Sequence, residues 1–380
     1  MGQDIDPFRA MAVSRRAHEL KAAGRRILHM EFGQPSTPAP LGAIAKAHEV
    51  LDTDAMGYWE SRPLKKRLCT HYRDMYGVDL SPDRITLTCG ASPALVLALS
   101  TAFSPGDRIA IARPGYVAYR NTLRALNLEP VEIACGADVR YQLTAAALET
   151  IEPAPAGLIL SSPANPTGTI IPEKELARLA AVAKARNIRI VSDEIYHGLS
   201  YGPPTRSMLE FDPNAYIVNS FSKYFSMPAW RLGWLVSPED GASRTGAYAG
   251  NLFLTPPSLS QHAGLVAMDS RDELEGHVAV YRRNRELMLD AMPRLGLDRI
   301  APPDGAFYIY ADVSRYTQDS MAFCLDLLED TGIATAPGVD FDPVDGHHFM
   351  RFSFALSTPE IEEAIALLEP WFAQRAAKPA

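Results

Sequence analysis

The chain has little cysteine, no block of basic residues and no long apolar run, and each shortage closes a class of function. Its four cysteines, Cys69, Cys89, Cys135 and Cys324, are scattered through 380 residues without a C-x-x-C pair. That spacing suits neither a disulfide framework nor a zinc site, and predicts reduced thiols packed in a core. Lys and Arg number 37 against 45 Asp and Glu, a formal charge of −8. An acidic chain without clustered cations is a poor partner for nucleic acid, whose binding rests on phosphate neutralisation. The longest apolar stretch, near 94–103, falls far short of a bilayer span. The opening MGQDIDPFRAMAVSRRAHEL lacks the apolar segment of a secretory signal, and Gly2 is not followed by the Ser or Thr of a myristoylation signal. The expectation is a cytoplasmic protein with neither nucleic acid nor membrane as partner. His347 and His348 are adjacent, and adjacent side chains on a strand face opposite ways. They predict a surface loop, and no metal site is expected.

What is present is ordinary in amount, 47% apolar and 22% charged, but regular in arrangement. From residue 84 short apolar runs alternate with helical stretches. Strands are predicted at 84–88, 108–112, 130–134, 157–161, 188–192, 216–220 and 232–237. Helices are predicted at 94–103, 119–126, after a Thr144 cap, and at 173–186. Runs that do not alternate apolar and polar predict an α/β fold, with a mostly parallel central sheet covered by helices on both faces. The C-terminal third differs: a long charged helix at 272–292, strands at 306–312 and 348–355, and helices at 320–330 and from Pro359. It predicts a smaller α+β domain joined by the chain's beginning. The expected division is 45–275 for the large domain, with 1–44 and 276–380 for the small one.

Ligands of open α/β sheets bind at the carboxyl ends of the strands. Gly90-Ala91-Ser92, between strand and helix, suits an anion at a helix N-terminus, and equally an ordinary N-cap turn. Asn165, within SPANPTG (162–168), is an amide on a stiff turn, fit for one directed hydrogen bond or for the turn alone. Asp193, in SDEIY, ends a buried strand, where a carboxylate needs a cation unless the turn is solvated. Lys223, in SFSK, is flanked by Phe221, Tyr224 and Phe225. Desolvation there lowers an amine's pKa and makes it a nucleophile; the alternative is a snorkelling surface lysine. Arg351, in MRFSFA, is an arginine inside an apolar strand and calls for a carboxylate.

The ordered motifs NPTG (165–168), SDEIY (192–196), SFSK (220–223) and WRLG (230–233) are joined by GQP (33–35), PDGAFY (303–308), PGVDF (337–341) and RFSFA (351–355). With these, the chain resembles the fold-type I pyridoxal-phosphate (PLP) aminotransferases of class I/II from about residue 7 to 355. The resemblance implies a transaminase that moves an amino group from an α-amino acid to a 2-oxo acid, with PLP as a Schiff base on Lys223. It implies that Asp193 pairs with the ring nitrogen, and that Asn165 and Tyr196 donate to the phenolic oxygen. Tyr116 would stack on the ring. Ala91, Ser92, Ser220, Ser222 and Arg231 would hold the phosphate, and Arg351, with Gly33 and Asn165, the substrate carboxylate. It also implies a homodimer with shared active sites, Tyr58 reaching the partner's cofactor phosphate.

The chain departs from the family pattern in places. The segment after Tyr58 lacks the usual longer, Gly-containing stretch, and Pro228-Ala229 replaces a common Thr/Ser-Gly. Ser92 stands where some aspartate-specific relatives carry lysine. Together with Phe8, Trp59 and Tyr116, this predicts neutral or aromatic substrates over dicarboxylic ones. A C–S β-lyase uses the same residues and is the alternative within the fold. A serine hydrolase is the remote one: GASPA around Ser92 approximates a G-x-S-x-G elbow, with His197 or His262 as base.

Overall fold

The computed structural model describes residues 5–202 and 204–376; Gly2 lies outside them. Seven strands form the main sheet: β1 (Ile85–Thr88), β2 (Arg108–Arg113), β3 (Glu129–Ala134), β4 (Gly157–Ser161), β5 (Arg189–Asp193), β6 (Tyr216–Ser220) and β7 (Gly233–Val236). Their spatial order is β1-β7-β6-β5-β4-β2-β3. Pairing is parallel from β3 through to β6. Strand β7 runs antiparallel to both neighbours, β6 and β1, a direction the apolar pattern does not encode.

The unalternating runs are explained by two cores. Successive residues point to opposite faces, and both faces are covered. Leu158, Leu160, Ile190 and Ile217 enter one cluster, with Leu64, Leu68 and Leu179 of the helices over it. Ile109, Ile159, Val191 and Val218 enter the other, with Leu95 and Leu99.

A second, antiparallel sheet joins Ala336–Pro337, Phe349–Ser353 and Tyr308–Asp312, with Phe349–Ser353 in the middle. Leu28–His29 pairs in parallel with Ile333–Ala334, which brings the start of the chain to this body. Its core combines Val13, Ala17 and Met30 with Phe307, Leu327 and Phe352. The long helix Arg271–Arg294 bridges the two bodies: Leu274 packs in the large core and Val278 in the small one.

Element bounds moved in two informative places. The helix expected at 94 begins at Ala91, with Gly90 as N-cap at φ +103°. Ser92 is thus inside the first turn and is not the cap. Pro93 sits there without cost because first-turn N–H groups have no intrahelical partner. The strand expected from 306 begins at Tyr308, since Ala306 is held at φ +55° and its N–H bonds Leu199. His347 and His348 lie in the turn Gly346–His348, and their rings pack 3.9 Å apart instead of facing opposite ways. Among the described residues no group of side chains has metal-ligand geometry, and no helix is long and apolar enough to cross a membrane.

Candidate active site

A cavity of about 340 Å³ opens where the main sheet's strand ends meet the small body. All the expected site residues line it except Ser220 and Tyr58. The convergence has a local cause at Gly233, which pairs with both Ser220 and Thr88. A Cβ on Gly233 would lie 2.8 Å from backbone atoms of Asn219 and Gly90. Glycine therefore lets the Gly90 turn and the loop after β6 approach closely.

Asp193 ends β5 and is buried. Tyr119 Oη donates to its Oδ2 (2.7 Å) and the Ile195 N–H to its Oδ1 (3.1 Å). It forms no ion pair among the described residues. Burial pushes it up to about 6, against those hydrogen bonds and the charge of Lys223. The adjacent Glu194 points the other way, accepting from Ser192, Ser207 and Met208, and burial pushes it up to about 8. Strand alternation gives one carboxylate of the pair to the cavity and the other to the core.

Lys223 Nζ donates to the Gly33 carbonyl (2.5 Å). Burial, and then the charge of Arg351, hold the amine down to about 8 while Asp193 opposes them. The desolvated lysine is therefore correct, and the surface alternative is not.

Arg351 occupies the middle strand of the small sheet and is 2% exposed. Its Nη1 donates to Asn165 Oδ1 (2.8 Å) and its Nη2 to the Glu31 carbonyl, while Nε has no partner. The guanidinium lies over the Tyr308 ring (4.4 Å) and the Phe341 ring (4.8 Å). No carboxylate pairs with it among the described residues. A buried cation without a counter-ion is costly, and it faces the cavity.

The anion-binding end combines the N-terminus of Ala91–Ala102 with Ser222 and Arg231. Arg231, at φ +52°, donates to the Pro228 and Cys89 carbonyls. A Cβ on Gly90 would meet its Nη2 at 2.5 Å. Ser220 is not on the cavity wall: its hydroxyl donates to Ser222 Oγ (2.7 Å), which is.

Other expectations end elsewhere. Tyr58 is 85% exposed, outside the cavity. Trp59 packs on His262 and not on the site, whereas Phe8 and Tyr116 line it. A serine hydrolase is unsupported, since neither His197 nor His262 shares the cavity with Ser92. His197 is tied to Tyr76 and the Ser162 carbonyl. Two residues were missed. Tyr119 holds Asp193. Tyr308 shares a hydrogen bond with Tyr196 (2.7 Å), and its hydroxyl occupies the space a Cβ on Gly33 would need. Tyr119 was findable one helical turn after Tyr116, and Tyr308 at the end of PDGAFY.

The sequence model of the aminotransferase class I and II family matches residues 31–368. The chain belongs to this family. A valine–pyruvate aminotransferase of Mycobacterium tuberculosis is 43% identical over 374 residues, 97% of this chain and 96% of that one. A (5-formylfuran-3-yl)methyl phosphate transaminase of Methanocaldococcus jannaschii is 30% identical over 95% of this chain and 96% of its own. Among solved structures, an aminotransferase from M. tuberculosis superposes with a TM-score of 0.95 at 42% identity, over 97% of each chain. The Thermus thermophilus aspartate aminotransferase with maleate gives 0.91 at 27% identity, over 96% of this chain and 97% of that one.

Class I and II aminotransferases are PLP-dependent enzymes, and the cavity fits that group on its own chemistry. It offers an amine of lowered basicity, a buried carboxylate lacking a cation, and a helix N-terminus with a serine and an arginine for a phosphate.

Proposed function

We propose that this aminotransferase moves the amino group of a neutral α-amino acid to a 2-oxo acid, with PLP held by Lys223. One observation carries the reading: the buried, carboxylate-free Arg351 faces the same cavity as Lys223 and the cation-free Asp193. Bound there, PLP supplies an aldehyde for the amino group and a ring that withdraws electrons from the substrate Cα. Lys223 Nζ would hold the cofactor through its amine and would carry the proton of the substrate Cα; a lysine held near 8 suits both tasks. Asp193 balances the ring nitrogen's charge and is itself positioned by Tyr119. Tyr196 and the Asn165 amide would donate to the phenolic oxygen, Tyr116 would lie against the ring, and Ala91, Ser92, Ser222 and Arg231 would hold the phosphate, all of them lining the cavity. Asn165 also orients Arg351 through its Oδ1, so one amide links cofactor and substrate. Arg351 clamps the substrate carboxylate, next to the Gly33 backbone.

The cavity's cations are Lys223, Arg231 and Arg351, each with a role already. Among the described residues of one chain none is left for a second carboxylate, and Phe8, Leu95 and Val96 supply apolar wall. This favours neutral substrates. Turnover of L-valine with pyruvate is expected to exceed that of L-aspartate with 2-oxoglutarate, and the reverse order overturns the substrate reading.

Two further results are expected. Arg351→Leu lowers kcat/KM by about 10²–10³-fold, because it removes one partner of a desolvated charge pair. The loss falls mainly on KM, and is absent with an amine substrate lacking a carboxylate. Separately, apo-protein captures PLP faster as pH rises, since only the neutral amine attacks. Followed by visible absorbance, the rate levels off above about 8; a midpoint near the ordinary lysine value of 10.5 contradicts the assignment.

We also propose a cytoplasmic homodimer with shared sites, and domains at 45–275 and at 1–44 with 276–380. The exposed Tyr58, Met56, Leu252 and Leu254 support the dimer, and the separate cores the division. Sedimentation at the mass of one chain would remove the dimer.

A further inference from the structure

A second cavity, of about 250 Å³, lies behind the active site. The loop after β6 walls both: Ser222 and Lys223 face the first cavity, Ser220, Tyr224 and Phe225 the second. Nothing in transamination uses this space. Its interior is apolar and aromatic, with Phe225, Trp234, Met268 and Leu274 all buried. Polar groups interrupt it at Asn219, His71, Tyr76 and His197, the last two hydrogen-bonded to each other. Asn219 is 7% exposed, and its Oδ1 accepts the Ser220 N–H (2.7 Å), which fixes the amide's direction. Its Nδ2 then has no partner among the described residues. His71, also on the wall, has no hydrogen bond there either, and burial with the nearby Arg67 charge holds it down to about 4, so its ring is neutral.

The mouth carries charges of both signs. Arg67 donates to Asp269 (2.7 Å) and the Met268 carbonyl (2.9 Å), yet its Nη1 is buried without a partner. Arg271 is exposed and makes no ion pair among the described residues. Asp74 and Glu275 lie on the same rim, and Glu275 accepts from Tyr224 Oη (2.9 Å). Of these donors Arg67 Nη1 is buried, and it costs stability while it lacks a partner; a site of this kind fixes a ligand by a few polar groups around an apolar body.

We propose that this cavity binds a free aromatic α-amino acid bearing a hydroxyl, with tyrosine as the fitting member, side chain inward. The ring packs on Trp234 and Phe225, and the phenolic oxygen accepts from Asn219 Nδ2. The carboxylate faces Arg67 and Arg271, and the ammonium faces Asp74 and Glu275. The cavity, about 250 Å³, has room for one amino acid.

The probe is labelled L-tyrosine in equilibrium dialysis against holoenzyme reduced with borohydride, which stops turnover. Binding is expected in wild type and in Arg351→Leu, about tenfold weaker in Arg271→Glu, and about tenfold weaker for L-phenylalanine, which lacks the acceptor. Arg271 is exposed, so its replacement leaves the fold intact, and a thermal melt checks this. Binding lost in Arg351→Leu but unchanged in Arg271→Glu would mean that the active site alone takes the amino acid. That result overturns the proposal, as does no binding at millimolar concentration.

Discussion

Lys223→Ala is expected to lower kcat by about 10³-fold or more, because one side chain supplies both the covalent anchor and the proton carrier. The variant should fold. Its lost hydrogen bond goes to a single carbonyl, and the amine it removes is one that burial already disfavours in charged form. It should still take up PLP loosely through Arg231, Ser222 and the helix N-terminus, but without the pH-sensitive visible band of wild type. A purified variant that turns over within about tenfold of wild type would remove Lys223 from the chemistry. A wild type that gains no chromophore from PLP would remove the cofactor assignment for this cavity.

Asp193→Asn is expected to act in opposite directions on activity and on apo-protein stability. With PLP bound, the carboxylate balances the ring's charge, and its loss should reduce kcat by about 10²–10³-fold. Without PLP, the carboxylate has no cation partner and its folded pKa, about 6, exceeds the ordinary 3.8. The unfolded chain then holds fewer protons than the folded one between those values, so stability falls as pH rises from about 4 to 6 and is flat above. Holding Asp193 ionised at neutral pH costs about 3 kcal/mol by this reckoning. Asp193→Asn apo-protein should therefore melt higher than wild type at pH 7, with the gain vanishing below about pH 4. Denaturant melts at both pH values check this. A variant less stable than wild type at pH 7 would show that Asp193 is compensated by something other than a bound cation.

The Lys223 and Asp193 predictions rest on parts of the molecule that were unequally legible. The parallel sheet could be read from runs such as GLILS and IRIVS, because burial on both faces removes polar residues from every position of a strand. The Lys223 environment was readable because three aromatic neighbours lie within two residues of it. The Thr144 cap was readable for the same reason: its hydroxyl accepts from Ala147, three residues on. The reverse direction of β7 was not readable, since an apolar run has no polarity. Ser92 was misplaced because Pro93 hides the start of a helix that the proline in fact tolerates. The resemblance gives Ser220 to the phosphate, and only the fold shows that β6 turns its hydroxyl toward Ser222.

By itself the sequence determined the fold class and the family, because those depend on local patterns and on motifs in fixed order. Only the tertiary structure decided that, among the described residues, Arg351 has no carboxylate of its own and Asp193 is held by Tyr119 with no cation. It alone showed that Tyr308 lies between Gly33, Tyr196 and Arg351. These are relations between residues 43 to 275 positions apart, and the free energy of an unpaired buried charge depends on what the fold brings near it, which no stretch of chain records.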